Sequence, residues 1–120
     1  MGKVERFEDL RVWRQGIELT KQIYHLTDYG KLSRDFGLKD QLHRAAVSVP
    51  TNIAEGYERR SRKEYIQFLN IAKGSVGEVR SLLTVAIEIG YLTHEDYNPL
   101  HSQALELSRM LATQIQVLKP

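Results

Sequence analysis

The chain has 120 residues, with 17 basic and 15 acidic side chains, a formal net charge of +2 and no cysteine. This length suits one domain with a single core, and the lack of cysteine excludes disulfides and thiolate metal sites from these residues. The start of the chain lacks the apolar run of a signal peptide, and no segment is apolar for the length of a membrane span. We therefore expect a cytoplasmic protein without membrane contact.

The first predicted helix covers residues 7–27. Two apolar stripes run along it at steps of three and four residues, a spacing typical of a helix with a wide buried face. The first stripe contains Leu10, Trp13, Ile17, Thr20 and Tyr24, and the second contains Val12, Gly16, Leu19, Ile23 and Leu26. The second stripe exceeds what one core requires, so we expect it to leave spare apolar surface for self-association.

The second predicted helix covers residues 36–56 after a loop at residues 28–35. Pro50 lies in its interior, where proline removes a backbone donor, and we expect a kink there because the apolar spacing continues in phase beyond it. Gly56 is expected to end the helix in the left-handed conformation that favours glycine.

The third predicted helix covers residues 61–90. Ser61 is the expected N-cap, and Glu64 three residues later completes the pattern of a capping box. Its apolar residues also exceed the needs of one core, which adds to the expected spare surface. Gly74 and Gly77 lie in its interior, where together they cost about 2 kcal/mol relative to alanine. We expect the close approach of another helix, from this subunit or a neighbour, to offset that cost.

The fourth predicted helix covers residues 94–118, with Thr93 as N-cap and Pro99 near the first turn, where its missing donor is tolerated. Short connections join the four long helices, and no strand pattern competes with them. The predicted fold is therefore an all-α, single-domain, up-down-up-down antiparallel four-helix bundle.

A polar stripe runs along one side of the second helix. Its members are Gln41, Arg44, Ser48, Asn52 and Glu55. One interpretation is an ordinary solvated face. The other is a structural network that joins Arg44 to Glu78, with Ser75 beside it on the third helix, because a lone buried charge is very costly.

The turn between the second and third helices is strongly basic. It contains Arg59, Arg60, Arg62 and Lys63 within five positions. It is either a solvated loop or a phosphate-contacting patch at a helix start, where backbone N–H groups and arginines both suit phosphate oxygens. Near the N-terminus, Arg11 and Arg14 belong to a second basic run.

No catalytic or metal-binding pattern emerges from the sequence. The four histidines lack metal-ligand spacing, and the single Asp-x-x-His formed by Asp40 and His43 falls short of a di-iron carboxylate set. No nucleophile–base pair is indicated. We therefore expect no metal, no cofactor and no enzymatic activity.

Residues 48–56 (SVPTNIAEG) resemble the signature of the 23S rRNA intervening-sequence proteins. Residues 41–46 and 72–78, together with residues 7–10 and Trp13, are also similar to that family, so the likeness covers nearly the whole chain. The resemblance implies a four-helix bundle assembled as a homopentameric ring. It extends to the accessory protein of diversity-generating retroelements, a basic barrel that binds nucleic acid.

Two functions remain open at this point. The first is a non-enzymatic accessory protein that binds the backbone of RNA or DNA as a homo-oligomer, with a pentamer favoured. The alternative is a scaffold ring that docks a partner enzyme without touching nucleic acid. Few aromatic residues lie within the basic clusters, so backbone recognition is expected rather than base reading.

Overall fold

The structure, a computed structural model, describes residues 4–120, which extend over 45 × 23 × 21 Å. Two short 3-10 turns, Phe7–Asp9 and Leu32–Arg34, precede the first two α-helices. The α-helices are α1 (Arg11–Leu26), α2 (Phe36–Glu58), α3 (Arg62–Glu88) and α4 (His94–Leu118). No strand occurs in this part of the chain. The predicted all-α, four-helix, single-domain fold is confirmed.

The helix starts follow from local capping. Three caps accept a backbone N–H through a side-chain oxygen: Asp35 from Leu38 at 3.1 Å, Ser61 from Glu64 at 3.3 Å, and Thr93 from Asp96 at 3.2 Å. The first helix differs from the prediction, because Leu10 has an extended backbone (φ −71°, ψ 129°) that separates the 3-10 turn from α1. Residues 7–10 therefore lie outside the first helix.

Helix α2 continues through Pro50, which is buried. Proline has no N–H, so the carbonyl of Ala46 loses its usual intrahelical donor. The hydroxyl of Thr20 on α1 lies 3.1 Å from that carbonyl oxygen, and 2.8 Å from the carbonyl oxygen of Gly16. A Cβ on Gly16 would lie 3.3 Å from Val49 and 3.4 Å from Pro50. The glycine thus permits the close packing that brings Thr20 to the carbonyl that Pro50 leaves unpaired.

The prediction for Gly56 is wrong. The helix runs on to Glu58, and Gly56 is a buried helical residue, whereas Arg60 adopts the left-handed conformation with φ 61°. A Cβ on Gly56 would lie 2.6 Å from Cβ of Phe68 and 3.2 Å from Tyr65. Gly56 is therefore required by the close approach of α3, and not by the end of α2.

The hydrophobic core draws on all four α-helices, and α2 packs most extensively against α3. The largest fully buried side chains include Leu19, Ile23, Leu32, Leu42, Ile53, Leu69, Leu83, Leu107 and Leu111. The second stripe of α1 belongs to this core, since Val12, Leu19, Ile23 and Leu26 are all buried. The expectation of spare apolar surface on that stripe is therefore wrong.

Spare apolar surface lies on α3, as predicted for that helix. Ile71 is 51% exposed, Val85 44% and Ile89 52%. Gly74 and Glu78 fall on the same side of the helix at steps of three and four residues. We call these five residues the α3 stripe. Within residues 4–120 no atom of another helix lies within 4 Å of a Cβ built on Gly74 or Gly77, so no helix of the same subunit approaches them closely.

Candidate nucleic-acid interface

The basic turn, residues 59–63, joins α2 to α3 at one end of the bundle. Arg60, Arg62 and Lys63 are exposed, and no salt bridge reaches them from any residue between 4 and 120. Arg60 holds a positive φ, a conformation that costs a non-glycine residue about 1–3 kcal/mol. The turn therefore presents three cations that have no acidic partner in the described chain.

Arg59 behaves differently from its neighbours. Its guanidinium lies 2.8 Å from a Glu55 oxygen and 3.4 Å from a Glu64 oxygen, and its Cζ lies 4.9 Å from the centre of the Phe68 ring. The hydrogen bond that Arg59 donates to Glu55 is the main cause that raises the pKa of Arg59. Two of its N–H groups donate to carboxylates of the chain, so Arg59 is less available to phosphate than the other three cations of the turn.

In the second basic run, Arg14 is bonded within the chain, whereas Arg11 has no salt bridge in the described residues. The Nε of Arg14 donates to the backbone oxygen of Glu8 at 2.9 Å, and Nη2 lies 3.5 Å from Asp9. Arg11 is exposed and has no salt bridge in the described residues. This run lies at the same end as the basic turn, because the Tyr57 hydroxyl donates to the backbone oxygen of Val4 at 3.2 Å.

Charge at this end is modest when all ionisable residues are included. Residues 55–64 contain four basic side chains and three acidic ones, which leaves a formal charge of +1. A single copy of the chain therefore offers a weak electrostatic attraction to a polyanion, and the effect depends on how the cations are arranged.

Part of the predicted polar stripe forms a contact between two helices. The hydroxyls of Ser48 on α2 and Ser75 on α3 lie 2.8 Å apart. Asn52 donates through Nδ2 to the backbone oxygen of Ser48 at 2.8 Å and lies 2.9 Å from its hydroxyl. This small network fixes the position of α3 along α2.

The remainder of the stripe stays at the surface. Arg44 pairs with Asp40 one turn earlier on α2, with Nε 2.8 Å from the carboxylate, and Glu55 pairs with Arg59. Gln41 and Glu78 are exposed. The predicted connection between Arg44 and Glu78 is therefore not formed, because Arg44 has a nearer acidic partner on its own helix.

His43 has a structural role that the sequence did not indicate. Its Nε2 lies 2.7 Å from the hydroxyl of Thr27, which is fully buried and also donates to the backbone oxygen of Tyr24. The Tyr24 ring stacks on the imidazole with centroids 3.8 Å apart. Burial, followed by the charge of Lys39, lowers the pKa of His43. The histidine therefore joins the end of α1 to α2.

A feature that the sequence analysis missed lies at the other end of α2. Phe36 is 78% exposed and stands between two shallow clefts of about 450 and 570 Å³. Lys31 and Arg34 line the first cleft, and Lys39 lines the second. The available signal was the phase of α2: Phe36 lies two residues before the buried Leu38, which places it on a different side of the helix.

Between residues 4 and 120, no group of three histidine, aspartate or glutamate side chains could hold a metal ion. None of the helices in that range combines the length and apolarity needed to cross a membrane.

Comparison with known proteins gives a consistent set of matches. A family model described as 23S rRNA-intervening sequence protein matches residues 8–113. The chain is also similar to a solved protein of unknown function from the S23 ribosomal protein family of Bacteroides thetaiotaomicron. The TM-score is 0.82 and the identity 26%, over 88% of this chain and 95% of the other. No curated protein matches the chain.

Proposed function

Because the chain belongs to the 23S rRNA-intervening sequence protein family, we propose that it is a non-enzymatic, cytoplasmic protein that binds the backbone of RNA or DNA as a homo-oligomer. The observation that carries this proposal is the basic turn, where Arg60, Arg62 and Lys63 lack acidic partners in residues 4–120. Cations of this kind suit phosphate oxygens, and Arg11 adds a further one at the same end of the bundle.

The oligomer is part of the proposal because one copy carries little net charge at this end. Symmetric assembly repeats each basic turn and so strengthens the field along one rim. The α3 stripe supports self-association, since it combines exposed apolar side chains with Gly74, where a second helix can approach closely. A homopentameric ring is the arrangement that we propose.

The ring would be built from up-down-up-down bundles. Two contacts support this order of the helices. The Tyr57 hydroxyl at the end of α2 meets Val4 ahead of α1, and the Tyr29 hydroxyl after α1 lies 3.3 Å from Asp96 at the start of α4. These contacts favour an arrangement in which α2 and α4 both run antiparallel to α1.

We expect the protein in solution to have a mass that is a multiple of its 13.9 kDa subunit, fivefold for the pentamer. Light scattering at micromolar concentration measures it. Ile71→Glu should lower the mass, because it places a charge on the α3 stripe. Val117→Glu is the matched control, since Val117 is 72% exposed on α4. A 13.9 kDa particle for the unaltered protein would refute self-association.

We expect binding to single-stranded RNA or DNA to weaken as the salt concentration rises. A plot of log affinity against log salt concentration should have a slope of about −0.7 for each phosphate contact. The triple variant Arg60→Ala, Arg62→Ala, Lys63→Ala should make the slope shallower by about 2, because three contacts are lost. The control triple variant, Lys21→Ala, Arg109→Ala, Lys119→Ala, removes equal charge from other exposed positions. No binding at low salt, or equal slopes in both variants, would contradict the proposal.

A scaffold that docks a partner enzyme is the second candidate. The modest charge of residues 55–64 and the exposed apolar α3 stripe favour it. The two functions differ in what survives treatment with nuclease and high salt: a docked protein partner is retained, whereas a complex held through nucleic acid is lost.

A further inference from the structure

We propose that the start of α2 forms a stacking site for an unpaired nucleobase, built on Phe36 with Lys31, Arg34 and Lys39 around it. We call this group the Phe36 site. The inference rests on the proposed function, because its ligand is a nucleic acid. It adds a contact to the base where the basic turn offers contacts to phosphate only, and it lies at the opposite end of α2.

The first observation is the exposure of an aromatic ring. Phe36 is 78% exposed, although burying a side chain of this kind stabilises a protein by roughly 1.5–3 kcal/mol. Its position is fixed, because the Asp35 carboxylate accepts the N–H of Leu38 and so sets where α2 begins. Leu38 then enters the core while Phe36 stays in solvent.

The second observation is the shape on either side of the ring. One cleft, of about 450 Å³, is bounded by Phe36, Lys31, Arg34 and Tyr91. The other, of about 570 Å³, is bounded by Phe36, Gly37, Lys39, Asp40 and His43. Both volumes fall in the range of small-ligand sites. A base that stacks on Phe36 would therefore have cations on both sides, where the preceding and following phosphates of a strand can reach them.

The third observation is that these cations are unpaired while the nearby acids are occupied. No salt bridge in residues 4–120 involves Lys31, Arg34 or Lys39. The Asp35 carboxylate accepts from the Leu38 N–H and from the Tyr91 hydroxyl at 3.0 Å. Asp40, which lines the second cleft, pairs with Arg44 at 2.8 Å, so residues 31–40 carry a formal charge of +1, equal to that of residues 55–64, with both acids engaged within the chain.

These features favour a single-stranded nucleic acid over a protein partner. An exposed aromatic ring among uncompensated cations matches a ligand that alternates flat rings with negative charges, because every base has a face that can stack and every linkage carries a charge. A duplex hides its bases in the helix, so the Phe36 site should prefer an unpaired strand.

The test measures the affinity of the unaltered protein for two strands at low salt. One is a fluorescent oligouridylate, and the other is an abasic strand of equal length and charge. The unaltered protein should bind the oligouridylate more tightly. Phe36→Ala should weaken oligouridylate binding by roughly fivefold to 100-fold and leave the abasic strand unaffected. Phe36→Leu, which keeps an apolar side chain but removes the ring, should show the same loss.

Val117→Ala is the control, because it shortens another highly exposed apolar side chain. If the unaltered protein binds neither strand, the proposed function fails, and this inference fails with it. If it binds both strands equally and Phe36→Ala changes neither affinity, backbone binding stands and the Phe36 site is refuted. Base stacking is also refuted if Phe36→Ala weakens binding to both strands equally. It is refuted as well if Phe36→Ala abolishes only the binding of a protein partner that is retained after nuclease treatment.

Discussion

Gly56→Ala should destabilise the protein by about 1–3 kcal/mol, although alanine favours a helix by about 1 kcal/mol relative to glycine. The added Cβ would lie 2.6 Å from Cβ of Phe68, an atom next to the backbone that cannot rotate away. Helices α2 and α3 must therefore separate, and their contact is the most extensive in the bundle. Urea denaturation monitored by circular dichroism measures the change in unfolding free energy.

Gly74→Ala provides the opposite case on α3. No atom of another helix in residues 4–120 lies within 4 Å of its new Cβ, so the subunit should gain about 1 kcal/mol from the better helix former. Measurement at low protein concentration reduces any contribution from self-association. Equal effects of the two substitutions would show that packing against Phe68 does not limit position 56.

Thr20→Val should destabilise the protein by about 1–3 kcal/mol, because it keeps the shape of the side chain but leaves the carbonyl of Ala46 without a donor. The Thr20 hydroxyl lies 3.1 Å from that oxygen. Pro50 has no N–H, so the usual intrahelical donor to that carbonyl is missing.

A double-mutant cycle isolates this effect. Pro50→Ala restores an N–H that can bond to Ala46 within α2, so Thr20→Val should cost less in that background. The expected coupling energy is about 0.5–3 kcal/mol, obtained from the unfolding free energies of the four proteins. Additive single effects would mean that the Thr20 hydroxyl does not replace the missing donor of the proline.

The helices were predictable because their apolar residues recur at steps of three and four, and each cap has a short sequence pattern. Gly56 was misplaced because a glycine near the end of a helical pattern fits two roles equally well. It can end the helix in the left-handed conformation, or it can permit close packing. Only the position of Phe68 on the neighbouring helix decides between them.

The candidate site was less predictable than the fold. The pairing of Arg59 with Glu55 has the spacing of one helical turn, so it could have been anticipated once α2 was known to extend to Glu58. The second partner, Glu64, comes from the next helix and depends on the turn geometry. The exposure of Phe36 could have been anticipated from the phase of α2, because the predicted and observed helices both begin at residue 36 and Leu38, two residues later, faces the core.

The bridge that Arg59 makes to Glu55 and Glu64 also bears on the cations beside it. It ties the last turn of α2 to the first turn of α3, so the short connection between them has little freedom to rearrange. A phosphate ligand at Arg60, Arg62 and Lys63, as proposed, would meet a backbone that is already ordered, and less conformational entropy would be lost on association. Arg59 would thus contribute to binding indirectly, because its ion pairs hold in place the backbone of the three cations beside it.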